Sequence, residues 1–302
     1  MDVPGRWPTA ALAVALLGAS LTLTPISGAA ADAEVEAVQM PAWLVRDGKQ
    51  QPLAPGAQLK SGDTITTGDG SRVLLRLAEG SAVKLGENAR FELASVAQTR
   101  EGGQQRFSAR LELRQGAFRF TTPPDDKAKG LRDIEVKFAT LSATVTGTDL
   151  WGKSADGQEI VALIDGKISV TRRGDAPVTM TEAKTVYIAP PDGPPRPVSA
   201  ITLAQLNAYA QETEMQPGAG VASRVGNYKI YAARTPNQQE ALAVYERLRD
   251  AGYAAAIQAA VSQGKQIYQV RIAGILTEAD GVAVAVKLRV QLGLQDVHVS
   301  LQ

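Results

Sequence analysis

An all-β domain of sandwich or roll type, followed by a smaller α+β domain of βαββαβ order, is the fold the sequence predicts. Three observations carry it. From about Trp43 to Ile188, short alternating runs are divided by glycine turns. Near the carboxyl end, a strand and helix opened by YKIYA are repeated 40 residues later from IYQVRIA. Between these regions five prolines fall within Pro190–Pro197, a composition that blocks regular helix.

The 302 residues, 44% of them hydrophobic, suffice for two domains, each with its own core. Lys plus Arg number 32 against 31 Asp plus Glu, so no global charge recruits nucleic acid or anionic lipid. The chain has no cysteine, which removes disulfides, thiolate nucleophiles, cysteine-ligated zinc, iron-sulfur centres and lipid anchors on cysteine. His298 is the single histidine, which argues against a Ser-His-Asp triad or a multi-histidine metal site. No metal or cofactor is implied, and any catalysis would rest on carboxylates.

Element by element, the amino terminus reads as an export signal over residues 1–31. Arg6 lies in a short head, an apolar stretch runs from Thr9 to Leu23, and Pro25 precedes small residues suited to cleavage after Ala29, Ala31 or Ala33. As a helix the apolar stretch rises about 22 Å, short of the roughly 30 Å a spanning helix must cross. The expected product is a soluble periplasmic protein, with membrane attachment only if the signal stays uncleaved.

Residues 35–189 are expected to form the β domain. In RFSARLELRQGAFRF, Phe107, Ala109, Leu111 and Leu113 fall on one side and Arg110, Glu112 and Arg114 on the other. Gly116 interrupts before Phe118 and Phe120 resume the pattern, and Asp69-Gly70, Asp156-Gly157 and Asp165-Gly166 supply turns. The blocks LKSGDTITTGDGSRVLLRLAEGSAVKLGENARFEL, LRQGAFRF, ATLSATVTGTDLWG and EIVALIDGKISV resemble, in that order, the periplasmic domain of the FecR family. The resemblance places Gly62, Asp63, Thr67 and Gly68 in one family turn and Gly147, Thr148 and Asp149 in another, in backbone-shaping roles. Family members pass a signal from an outer-membrane receptor to a sigma factor, which requires a cytoplasmic segment. Only about eight residues precede the apolar stretch here, so the domain is expected to serve as an interaction or scaffold module.

Residues 190–223 read as a Pro/Gly-rich linker containing a short helix, ITLAQLNAYAQETEMQ, with Leu203, Leu206 and Tyr209 in line and Pro217-Gly218 as its stop. The helix is expected to dock on its own protein or on a partner.

Residues 224–302 carry the repeat. Thr235 is placed to cap a helix, Pro236 to open it and Gln238 to return the capping bond; Ala241, Val244, Tyr245 and Leu248 share a face, and Gly252 stops it. The second helix begins at Thr277 with Asp280 three residues on, buries Gly281, Val284, Ala285 and Leu288, and stops at Gly293. Two such units describe a ferredoxin-like sheet with both helices on one face. If Ile230 and Val270 point to the helices, then Lys229, Tyr231, Gln269, Arg271 and His298 are expected on the open face. An RNA-binding sheet fits poorly, because IYQVRIAG lacks the glycine-aromatic pattern that stacks bases and the export signal removes the protein from RNA.

This stretch resembles the SPOR domain. Tyr228, Ile230, Ala241, Leu248, Gly252 and Tyr253 match its first half, and Tyr268, Val270, Arg271, Leu288 and Gly293 its second. Tyr231 stands where the family favours glutamine, and Ala233 and Ala273 stand where it favours glycine. The resemblance implies binding to peptidoglycan, especially glycan strands stripped of stem peptides, and recruitment to the division septum. Tyr231 suits the apolar face of a sugar, and Gln269 and His298 suit hydroxyl or acetamido groups. Arg271, assisted by Lys229, suits the lactyl carboxylate that loss of the stem peptide frees.

The expectation is therefore a non-enzymatic envelope protein that binds peptidoglycan, with a possible envelope or division partner for the β domain. A trans-envelope signalling regulator is one alternative. A carboxylate-based cell-wall hydrolase is the other, with Asp125-Asp126 and Asp149 as candidates by type.

Overall fold

The computed structural model describes residues 31–301, apart from 103 and 124–130. Residues 1–30 of the predicted export signal and Asp125-Asp126 lie outside the described residues. The architecture is mostly β, with an α+β region at the carboxyl end.

The first strands are β1 (Ala33–Gln39), β2 (Ala42–Arg46), β3 (Lys49–Pro52), β4 (Gln58–Leu59), β5 (Asp63–Thr67), β6 (Arg72–Leu77) and β7 (Ala82–Leu85). A long hairpin, β8 (Arg90–Glu101) and β9 (Gln104–Thr121), follows. After it come β10 (Leu131–Lys137), β11 (Leu141–Ala155), β12 (Gln158–Arg172), β13 (Val178–Met180), β14 (Thr185–Ala189) and β15 (Arg196–Ala200).

Strand β9 organises this region. Its first half pairs with β8 on one side and, in parallel, with β10 on the other; its second half pairs with β7 and β11. Phe107, Ala109, Leu111 and Leu113 are buried, as the alternation predicts, and Phe118 and Phe120 are buried beyond them. Gly116 does not end the strand. It adopts φ +89°, and a Cβ there would come within 2.6 Å of Ala89 Cα, so glycine lets the strand bend without breaking.

The proline-rich stretch is held against the β region rather than running free. β15 pairs with β14 as an edge strand, the position in a sheet where a proline such as Pro197 leaves no ladder bond unmade. Helix α1 (Leu203–Thr213) follows, capped by Thr202 and Gln205 in a reciprocal box. Tyr209 stacks on fully buried Trp151 with centroids 4.0 Å apart. Lys153 pairs with Glu212 at 2.9 Å, and Lys84 and Arg119 both pair with Glu214, at 2.6 and 2.9 Å. Tyr209→Ala is expected to cost about 1–3 kcal/mol and to make α1 the first site of limited proteolysis; unchanged thermal unfolding and cleavage would count against this docking.

β16 (Val221–Ser223) then pairs with β1, carrying the chain back to its first strand. The α+β region comprises β17 (Tyr228–Thr235), α2 (Gln238–Asp250), β18 (Ala255–Ser262), β19 (Lys265–Ile275), α3 (Glu278–Leu292) and β20 (His298–Leu301). Its strands lie in the order β20, β17, β19, β18, all antiparallel. Gly281 brings α3 close to β20, since a Cβ there would meet Val299 Cγ1 at 2.5 Å. Thr277 caps α3 as predicted. Helix α2 differs. Asn237 is its cap, accepting from Gln239 and Glu240 N–H, while Thr235 Oγ1 bonds Glu240 and Asn237 N. The cap therefore sits two residues later than expected: Pro236 precedes the helix, Gln238 is its first residue, and the asparagine side-chain carbonyl takes the Gln239 and Glu240 donors, which lie beyond the reach of a cap at Thr235.

One apolar core runs through both regions, from Ala33 and Phe91 to Leu248 and Val297. Trp43 Nε1 donates to Asp250 O at 3.3 Å, Ala42 N donates to Gly252 O at 3.2 Å, and half-buried Lys287 Nζ reaches Met40 O at 3.4 Å. Burial holds that lysine below its ordinary pKa.

Candidate functional site

The open side of the carboxyl-terminal sheet collects the side chains with binding chemistry. Ile230, Val270 and Ile272 are buried beneath the helices, which turns their neighbours Lys229, Tyr231, Gln269 and Arg271 to the other face. Tyr231 is the centre. Its backbone lies opposite Arg271 of β19 on one side and His298 of β20 on the other. The Tyr231 and His298 rings stack, with centroids 4.9 Å apart and planes inclined by 22°. Lys229 Nζ lies 5.5 Å from the Tyr231 ring centre. Gln269 stands two residues before Arg271 on the same strand and opposite Gln258 of β18.

Arg234 joins this group, which strict alternation does not predict. Lys229, Tyr231, Ala233 and Thr235 would share a face in an unbroken strand. The register slips between Tyr231 and Ala233, leaving Ala232 as the extra residue, so Arg234 comes opposite Gln269. Its guanidinium carbon lies 5.5 Å from the Tyr231 ring centre. The adjacent small residues Ala232-Ala233, where the alternation stalls, are the one signal in the sequence that marks the slip.

The electrostatics are one-sided. None of the strands YKIYAART, AAIQAAVS, KQIYQVRIAGI and HVSL contains Asp or Glu. Among the described residues, Lys229, Arg234 and Arg271 have no carboxylate partner. The surface thus offers a flat aromatic pair ringed by cations, chemistry suited to an extended ligand with apolar faces and negative charge.

The turn residues of the β region have other work. Asp63 is buried, accepts from Lys60 N at 2.8 Å and holds Arg46 through two oxygens, at 2.7 and 2.5 Å. Thr67 Oγ1 donates to Gly86 O and accepts from Ala89 N. A Cβ on Gly68 would meet Pro41 Cγ at 3.0 Å, and Gly62 adopts φ +90°. Thr148 Oγ1 donates to Asp165 O across the bulge at Gly147. Asp149 is held by Arg119 through two hydrogen bonds, at 2.8 and 2.6 Å, and the same guanidinium holds Glu214 at 2.9 Å, so both carboxylates of this cluster are engaged by one arginine. Among the described residues, no helix is long and apolar enough to cross a membrane.

Comparison with known proteins places two families along the chain. No curated protein matches it. Two solved structures of a candidate anti-sigma factor from Parabacteroides distasonis ATCC 8503 are similar to it. One is 15% identical and covers 76% of this chain and 92% of its own, with a TM-score of 0.40. The other is 16% identical and covers 79% of this chain and 97% of its own, also with a TM-score of 0.40. The family model described as FecR protein matches residues 63–169, and that of the SPOR domain matches residues 225–300. The strands around β9 therefore carry a FecR domain, and the sheet bearing Tyr231 and Arg271 belongs to the SPOR domain that follows it.

Proposed function

We propose that this is an exported, non-enzymatic protein of the cell envelope that binds peptidoglycan, in particular glycan strands stripped of stem peptides, through its SPOR domain. The observation that carries this reading is the acid-free open sheet on which Tyr231 and His298 stack amid Lys229, Arg234 and Arg271. A sugar ring lies against the aromatic pair, and Gln269 and His298 meet hydroxyl or acetamido groups. Arg271, with Lys229 beside it, pairs with the lactyl carboxylate that is an amide while the stem peptide remains. The strand order β20, β17, β19, β18 supports a ferredoxin-like fold for residues 224–302. Residues 35–189 form the all-β sandwich or roll, an interaction or scaffold module whose turn residues are spent on its own architecture. The protein acts in the periplasm after loss of residues 1–31, and denuded glycan draws it to the septum.

The test is co-sedimentation of the mature chain with amidase-treated and untreated peptidoglycan. Arg271→Ala is expected to weaken binding to the treated material about tenfold, as loss of a charged hydrogen bond does, and to erase the preference for it. Unchanged affinity for both materials would show the carboxylate assignment to be wrong. Release of muropeptides during incubation would favour hydrolysis instead.

A further inference from the structure

Strand β17 outruns its edge partner. β20 pairs with Tyr228–Tyr231 alone, so the edge of Ala232–Thr235 borders a cleft instead of another strand. One side of α2, from Glu240 to Arg247, and the loop Gly293–Asp296 form its walls, and its volume is about 340 Å³, enough for a pyranose ring with a substituent. Ala232, Ala243, Val244 and Leu294 give it an apolar lining, while Arg234 and Asp296 supply opposite charges. Neither of these two has an ion-pair partner among the described residues. The other two charged residues of the lining are engaged internally, Glu240 with Thr235 Oγ1 and Arg247 with Leu292 O.

We propose that this cleft receives an N-acetylated sugar residue of the strand lying across the open sheet, with its acetamido group between Arg234 and Asp296. The inference rests on the peptidoglycan reading and adds a second point of contact to it. Arg234 belongs to both places: it lines the cleft, and its guanidinium lies 5.5 Å from the Tyr231 ring centre. A chain stacked on Tyr231 therefore continues into the cleft without losing contact. An acetamido group presents one acceptor, one donor and a methyl group. The cleft matches all three, with a guanidinium to donate, a carboxylate to accept and an apolar lining for the methyl. A free amine in its place loses the methyl contact, puts a cation beside Arg234 and keeps only Asp296 as a partner.

The experiment compares binding of the full mature chain to amidase-treated peptidoglycan and to the same material chemically de-N-acetylated. The native chain is expected to bind the acetylated glycan about tenfold more tightly, the size of a lost methyl contact and hydrogen bond together. Ala243→Phe, at an exposed position of α2, fills the cleft and removes the difference. Asp296→Asn leaves an acceptor but not the charge that partly rescues the amine, and so widens it. Equal binding of both glycans by the native chain, or a difference that survives Ala243→Phe, overturns the cleft assignment while leaving the sheet as a binding face. Binding of neither glycan sinks the peptidoglycan reading and this inference with it.

Discussion

Replacing Asp280 by alanine is expected to lower the unfolding free energy by about 3–5 kcal/mol, the largest single effect in the α+β region. Asp280 is the third residue of α3 and is fully buried. Its Oδ1 accepts from the N–H groups of Gly218, Gly220 and Val221, at 2.8, 3.0 and 3.0 Å, and Oδ2 accepts from Thr277 Oγ1 at 2.6 Å. One carboxylate therefore fastens the start of α3 to the segment that enters β16. Alanine would leave these donors buried without partners. Asparagine keeps one carbonyl acceptor and is expected to cost about half as much. Burial alone would raise the pKa of this carboxyl, but the bonds from Thr277, Val221, Gly220 and Gly218 outweigh it and hold the group below its ordinary value. With the folded pKa depressed, the stabilisation is complete above the unfolded value, about 4, and is lost as pH falls through the folded one. Urea titrations at pH 7 and pH 3 check both statements; a native-like midpoint for Asp280→Ala at pH 7 would refute them.

The sequence carries its local information well and its long-range information poorly. Period-two alternation places Phe107 to Leu113 because each residue's environment follows from its neighbours'. Gly293 ends α3 at φ +61° because a left-handed cap is a local requirement. The face bearing Lys229, Tyr231, Gln269, Arg271 and His298 is legible for the same reason, although only the fold brings the Tyr231 and His298 rings together. Arg234 is not legible by alternation, because one bulge residue reverses every side chain after it. Nor is the place at which α1 docks, although docking on its own protein is among the expectations. Arg119, Asp149 and Glu214 meet from three distant segments, and composition around Pro190–Pro197 says nothing of such a clasp. The sequence also marks Gly252 as the end of a helix, which is only half of its role.

Gly252→Ala is expected to cost about 2–4 kcal/mol, of which strain at its φ of +80° accounts for about 1 and overpacking for the rest. A Cβ at this position would lie 2.6 Å from Trp43 Cε2, 2.7 Å from Trp43 Cζ2 and 3.0 Å from Pro41 Cβ. The glycine thus lets the end of α2 seat against the start of β2, where its carbonyl accepts from Ala42 N and the Asp250 carbonyl accepts from Trp43 Nε1. The two regions meet here by backbone contact, and a methyl group must push either the indole or the helix end aside. Trp43→Ala removes the indole, so the double variant should be less destabilised than the sum of the two single changes, by about 1 kcal/mol or more. Strictly additive losses would mean that the ring is not what the methyl strikes. Glycan affinity separates this contact from the proposed binding face. Gly252 lies at the helix side of the sheet and Tyr231 on the other, so under the proposed function the folded Gly252→Ala chain should keep the native affinity for denuded glycan. A parallel loss of affinity would mean that the seat against β2 also holds the strands of this sheet in register.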